Sequence, residues 1–187
     1  MFNAIKENDL LRPIIIEIEK LKQQSEHKKA IKLIKDTIIK YNDDYRLYEE
    51  LADTYLYMWK INDANKAVDY ALIKNPESAT GHYLKWFLCL NYDDFDTALS
   101  HLEKSNKMFS NNPEVLRNLG WAYVMTNQVE RWIAILQRAL KLAPWDRLII
   151  EDLAMALIWI WEVEQWNKLL KEIWSTKKID QSYFKLK

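Results

Sequence analysis

The feature that most constrains this chain is a period. Leu51, Ala52, Tyr55, Ala71 and Pro76 return 68 residues later as Leu119, Gly120, Tyr123, Ala139 and Pro144. A second series steps by 34 throughout: Ala30, Ala64, Ala98, Trp132, Trp166. Four residues after each member stands an apolar side chain, namely Ile34, Val68, Leu102, Leu136 and Leu170. Within one period the apolar residues fall at i, i+4 and i+7, as in Ala64, Val68 and Ala71, which is one face of a helix. One such helix pair cannot bury its own apolar face, so neighbouring pairs must stack.

The local chemistry predicts ten helices, near residues 10–24, 27–41, 45–59, 62–74, 79–91, 95–109, 113–126, 129–142, 147–160 and 163–175. Ser25, Asp44, Asn62, Ser78, Asp94 and Asp146 stand where helices should begin, as does Asn112, with Pro113 at a first helical position. Sustained strand-like alternation is absent. A mostly polar tail, 176–187, follows.

Thirty-four residues is the spacing of the tetratricopeptide repeat, and the resemblance extends to individual places. That family has an aromatic at position 4, leucine at 7, a small residue at 8 and tyrosine at 11. It continues with alanine at 20, an aromatic or aliphatic at 24, alanine at 27 and proline at 32. Numbered from Tyr45, this chain gives Tyr48, Leu51, Ala52, Tyr55, Ala64, Val68, Ala71 and Pro76. Numbered from Pro113 it gives Leu116, Leu119, Gly120, Tyr123, Leu136, Ala139 and Pro144, and departs at Trp132. The repeats begun at Leu11, Ala79 and Arg147 match less well. The resemblance implies an all-α, right-handed α-solenoid of about five helix-turn-helix repeats in a single domain, 1–187. The repeats run over about 11–44, 45–78, 79–112, 113–146 and 147–175.

In the family, first helices line an inner, concave surface, and positions 2, 5, 9 and 12 touch the ligand. The resemblance therefore nominates Arg46, Glu49, Asp53 and Leu56 in the second repeat, and Thr80, Tyr83, Phe87 and Leu90 in the third. It adds Glu114, Arg117, Trp121 and Val124 in the fourth, then Leu148, Glu151, Met155 and Ile158 in the fifth. That surface runs from polar and acidic to apolar and aromatic, which suits a partner peptide with apolar anchors. The alternative is that Tyr83, Phe87 and Met155 pack within or between repeats. Members that grip a chaperone's C-terminal carboxylate use lysine and asparagine at positions 5 and 9. Here Glu49 and Asp53, then Tyr83 and Phe87, hold those places, so no such clamp is expected.

Composition narrows the function classes. Lys+Arg and Asp+Glu both number 27, so no net field attracts nucleic acid or an anionic membrane. Lys28, Lys29, Lys32 and Lys35 cluster on one helix, but Glu26 and Asp36 interrupt them, as on an ordinary solvated face. The longest apolar run, 153–161, is too short to span a bilayer. The opening MFNAIKENDLLRP carries charges where a signal peptide needs an apolar run, and Cys89 is the single cysteine, so a cytoplasmic location is expected.

No P-loop, dinucleotide loop, nucleophile elbow or metal-ligand motif is present, so neither catalysis nor a cofactor is expected. His82 falls on an aromatic core place and reads as a packed histidine. His27 and His101 read as solvated. His82 and Cys89 could share a helix face, but two ligands make a poor metal site. The expected role is a scaffold for a protein partner. Self-assembly through end faces of the stack is the alternative, and an RNA-binding helical repeat a more distant one.

One anomaly remains. The chain has 9 Trp and 2 Gly, where an average protein of this length carries roughly a dozen glycines. Trp86 falls at position 8, and Trp132 and Trp166 at position 20, where two helices cross closely. Trp59 and Trp161 fall at position 15, the bend between helices, which often needs positive φ. Two readings stand. Several of these residues are glycine in the native chain, through a UGA codon that some bacteria read as glycine and others as tryptophan. Alternatively they are tryptophan and the repeats have repacked around them. With tryptophan in place, Trp132 and Trp166 should turn outward or displace their helices, because overpacking a crossing costs roughly 1–3 kcal/mol.

Overall fold

The computed structural model describes residues 2–159, without the side chains of residues 2–9, and also Gln165, Lys168 and Lys171, which are helical and exposed. Among the described residues there are nine α-helices and no strand: α1 (Phe2–Gln23), α2 (His27–Ile38), α3 (Tyr45–Tyr57), α4 (Ile61–Lys74), α5 (Ala79–Leu90), α6 (Phe95–Met108), α7 (Pro113–Met125), α8 (Val129–Leu142) and α9 (Arg147–Trp159). Eight of these match the expected segments closely. Helix α1 reaches further toward the N-terminus than expected and carries Pro13 within it. The tenth expected helix and the 176–187 tail lie outside the described residues, apart from the three named above.

The chain divides into two compact units, Met1–Ser110 and Asn111–Lys187. In the first, α1 packs on α2, α3 on α4 and α5 on α6, and each hairpin touches the next through α2–α3, α4–α5, α1–α3 and α3–α5. In the second, α7 pairs with α8, and α8 packs on α9.

The periodic small and apolar residues make the core. Ala30, Ile34, Ala64, Val68, Ala71, Ala98, Leu102, Leu136 and Ala139 have no exposed surface. A methyl at the crossing lets two backbones approach, and the branched residue four places on fills the space beside it. One continuous cluster in the first unit joins Ile18, Ala30, Ile34, Leu51, Ala52, Tyr55, Ala64, Val68, Leu84 and Leu88 across three hairpins. Lys28, Lys29, Lys32 and Lys35 are exposed on the opposite side of α2, the solvated face the sequence predicts.

Helix starts are set by side-chain caps. Asp44 accepts from the Arg46 N–H, Ser78 from Gly81, Asp94 from Thr97, and Asn112 from Glu114 and Val115. Asp146 does the same for Leu148 and Ile149 at the head of α9. Two expected caps are corrected. Asn62 lies inside α4, whose cap position is Lys60. Ser25 is the left-handed residue before α2, with φ 59°, and Glu26 holds the cap position. Serine and asparagine suit a left-handed bend as well as a cap, so their identity does not decide between the two.

Of the two outcomes expected at Trp132, the outward turn is corrected. Its side chain does not turn outward but is 3% exposed, packed over Gly120 in the α7–α8 hairpin. Gly120 has given up the Cβ that position 8 carries as Ala52 or Ala154, and the indole occupies the space. Trp86 is also buried. Trp161 and Trp166 lie outside the described residues.

Candidate protein-binding faces

All sixteen nominated residues fall on first helices, in two sets, one per unit. In the first unit α3 carries Arg46, Glu49 and Asp53, and α5 carries Thr80, Tyr83 and Phe87. In the second unit α7 carries Glu114, Arg117 and Trp121, and α9 carries Glu151 and Met155.

Most of the charged members already have partners inside the chain. Arg46 grips Asp44 with its Nε and Nη2, at 2.9 and 2.6 Å. Burial pushes the Asp44 carboxyl up, but the hydrogen bonds from Arg46 outweigh it and leave the group below the usual carboxylate range. Glu49 is buried and accepts a hydrogen bond from the Ser78 hydroxyl at the head of α5. Desolvation still raises its pKa, with Glu50 and Asp44 adding repulsion. Asp53 accepts from Lys22 Nζ at 2.8 Å, and the same ammonium reaches Glu50 at 2.6 Å. This triad ties α3 back to α1.

The second unit repeats the device. Asp152, 3% exposed, accepts from Arg117 Nε at 2.5 Å and from Trp121 Nε1 at 3.0 Å. Glu50 and Asp152 both occupy position 6 of their repeats and both bond back to the preceding first helix. Sequence reasoning did not single out this position. The only signal was an acid there with a basic residue on the first helix before it, and such pairs are 28 and 35 residues apart. Lys85 makes a similar tie from α5 to Asn65 and Asp69 of α4.

The apolar members differ. Phe87 is 38% exposed and borders Trp86, with ring centroids 6.3 Å apart. Tyr83 is half-buried and also borders Trp86, with ring centroids 5.1 Å apart. On α9, Leu148, Met155 and Ile158 are all about half exposed or more, at positions 2, 9 and 12. Glu151 is exposed and accepts from Arg147 Nε. Thr80 and Glu114 are exposed.

The histidines are placed partly as expected. His82 is packed, but His101 is not simply solvated: its Nδ1 lies 2.9 Å from His82 Nδ1. His82 Nε2 is 3.0 Å from the Pro76 carbonyl oxygen, which can only accept, so Nε2 carries the proton. His82 Nδ1 is then the acceptor, and His101 Nδ1–H the donor. Burial lowers the pKa of both, that of His101 to about 4, with the neighbouring imidazole and Lys104 contributing. His27 stacks on Tyr57, centroids 5.6 Å apart. Among the described residues no group of three or more His, Cys, Asp or Glu could hold a metal ion.

The helices among the described residues form repeating hairpins with small residues at most crossings, which defines a tetratricopeptide-type α-solenoid fold. Comparison with solved structures agrees. PilF of Pseudomonas aeruginosa superimposes with a TM-score of 0.79 at 11% identity, over 94% of this chain and 80% of that one. MamA of Desulfovibrio magneticus RS-1 gives 0.73 at 16%, over 88% and 93%. TTC0263, a thermophilic TPR protein of Thermus thermophilus, gives 0.68 at 18%, over 83% and 86%. No protein-family model and no curated protein sequence matches the chain. Identities this low show a shared fold alone.

Proposed function

We propose that this protein is a non-enzymatic scaffold that binds a segment of a partner protein on the concave, first-helix faces of its repeats. One observation carries the reading. The charged side chains at ligand-facing positions are largely paired within the chain, whereas Phe87 on α5 and Leu148, Met155 and Ile158 on α9 remain open to solvent. A row of apolar side chains on a helix fixed by buried ties is suited to anchor apolar residues of a partner. The balanced charge gives no support to a nucleic-acid ligand. No helix among the described residues is long and apolar enough to cross a membrane. We place the scaffold in the cytoplasm, a reading that the free thiol of the lone Cys89 supports.

The test is affinity capture from source cells with the wild-type chain and three variants, with and without nuclease. Phe87→Ala and Met155→Ala should each weaken capture of the same protein about tenfold, the effect of truncating an apolar anchor. Tyr70→Ala, exposed on the second helix α4, should leave it unchanged. Loss of the catch with nuclease would favour an RNA ligand. A catch consisting of the chain itself, with mass in light scattering rising with concentration, would favour self-assembly. Equal binding by all four proteins would sink the assignment of the face.

A further inference from the structure

Four residues of left-handed backbone recur at the 34-residue interval: Ser25, Trp59, Asp93 and Asn127, with φ of 59°, 56°, 56° and 57°. Each follows the first helix of its repeat, and each is held by the same two backbone bonds. The N–H of the residue itself reaches the carbonyl three residues back: Ser25 to Lys22, Trp59 to Leu56, Asp93 to Leu90, Asn127 to Val124. The next N–H reaches five residues back: Glu26 to Leu21, Lys60 to Tyr55, Asp94 to Cys89, Gln128 to Tyr123. This is the helix-ending bend whose favoured occupant is glycine. Serine, aspartate and asparagine are short polar residues that can hydrogen-bond locally there. A tryptophan is the outlier, since it bears the Cβ clash of the left-handed region without a short polar group to hydrogen-bond locally. Nor does burial compensate, because the Trp59 side chain is 75% exposed.

Two further tryptophans break the pattern of their own repeats. Position 20 is Ala30, Ala64 and Ala98 in the first three repeats, each wholly buried, and Trp132 in the fourth. Position 8 is Ala52, Gly120 and Ala154 in the second, fourth and fifth, and Trp86 in the third. Both indoles are buried, and neither Nε1–H hydrogen-bonds to any described residue. Buried indole N–H groups ordinarily find an acceptor. Trp121 shows the difference, since it donates to Asp152. At these three positions a tryptophan stands where most of the equivalent residues are small, Ile18 at position 8 of the first repeat being the exception.

We propose that residues 59, 86 and 132 are glycine in the protein as its own cell makes it, each encoded by UGA, whereas Trp121 is a tryptophan encoded by UGG. A single decoding change explains why tryptophan stands at all three positions, and why glycine is so scarce. A transfer RNA that reads UGA and carries glycine would convert these positions and leave every UGG tryptophan in place. Trp161 shares the register of the left-handed bends and Trp166 that of the crossings, so both codons belong to the same test.

The experiment is peptide mass spectrometry of the protein isolated from its source cells, read beside the codons of its gene. Glycine at 59, 86 and 132 with UGA codons, and tryptophan at 121, is the expected result. Tryptophan in the native peptide at any of the three, or a UGG codon there, overturns the proposal. A physical arm uses the recombinant chain. Trp59→Gly should raise Tm by about 2–4 °C, while Trp121→Gly lowers it. A Tm for Trp59→Gly equal to or below that of the parent would refute the backbone argument.

Discussion

His82 and His101 share one proton across 2.9 Å, and the proton belongs to His101. The bond joins α5 to α6 and needs His82 neutral at Nδ1. Both groups have depressed pKa values in the folded chain, that of His101 about 4. The unfolded chain therefore binds more protons over the interval from about 6.5 down to about 4. The contribution of the pair is fully present above pH 6.5 and lost as pH falls through that window. The raised pKa values of Glu49 and Glu50 act in the opposite direction just above 4.5. Tm measured from pH 7.5 to 4 should thus fall less steeply for His101→Gln than for the parent. Parallel curves would show that the pair does not titrate as described. Lys104, Glu77, Lys85 and Asp69 are the charges that act on the two rings, and all are retained in the variant.

Asp152 is a buried anion with two donors, one of them a guanidinium. Removing it leaves Arg117 half-buried without its counter-charge. Asp152→Ala should cost about 3–5 kcal/mol, and Asp152→Asn somewhat less. Denaturant unfolding checks this, and Glu151→Ala on the exposed side of the same turn should stay within about 0.5 kcal/mol of the parent.

Ser78 serves two partners at once. Its hydroxyl hydrogen goes to Glu49, and its oxygen accepts the Gly81 N–H at 3.2 Å. Ser78→Ala removes a helix cap and strips a buried carboxylate of its hydroxyl donor, leaving it the Gly81 N–H, a loss of about 2 kcal/mol. Glu49→Gln should relieve the desolvation that raises the glutamate pKa, so Ser78→Ala should cost less in that background. A double-mutant cycle with no coupling would contradict the geometry.

A Cβ built on Gly120 would stand 3.1 Å from both Trp132 Cδ1 and Leu136 Cγ. Glycine within a helix costs roughly 0.5–1 kcal/mol relative to alanine, so Gly120→Ala carries a gain and a clash together. With Trp132 present the clash should win, by about 1 kcal/mol or more. With Trp132→Ala only the Leu136 contact remains, so the cost of Gly120→Ala should shrink by about 0.5–1 kcal/mol as Leu136 gains room to shift. Equal effects in both backgrounds would mean that the indole does not press on residue 120.

The fold was legible because its determinants are local and recurrent. Side-chain volume at a crossing is decided by one residue, and Ala30, Ala64 and Ala98 announce it at a fixed interval. Asp44, Ser78, Asp94 and Asn112 announced helix starts for the same reason. The nominated residues were legible in position but not in the contacts they make. Glu49, Asp53, Arg117 and Trp121 stand on the expected helices, yet their partners Ser78, Lys22 and Asp152 come from neighbouring hairpins. Pairings of that kind are settled by tertiary packing and leave no local signature. His101 escaped for the same cause, since its neighbour His82 is 19 residues away.

In the first unit each hairpin packs on its sequence neighbour and on little else. Such a unit has no keystone. An injury to one hairpin should fray two adjoining seams and spare more distant ones, so hydrogen exchange after a core substitution should brighten in a patch rather than throughout. Evolution can then lengthen or shorten the chain by whole periods, because each surviving edge finds an equivalent edge to meet.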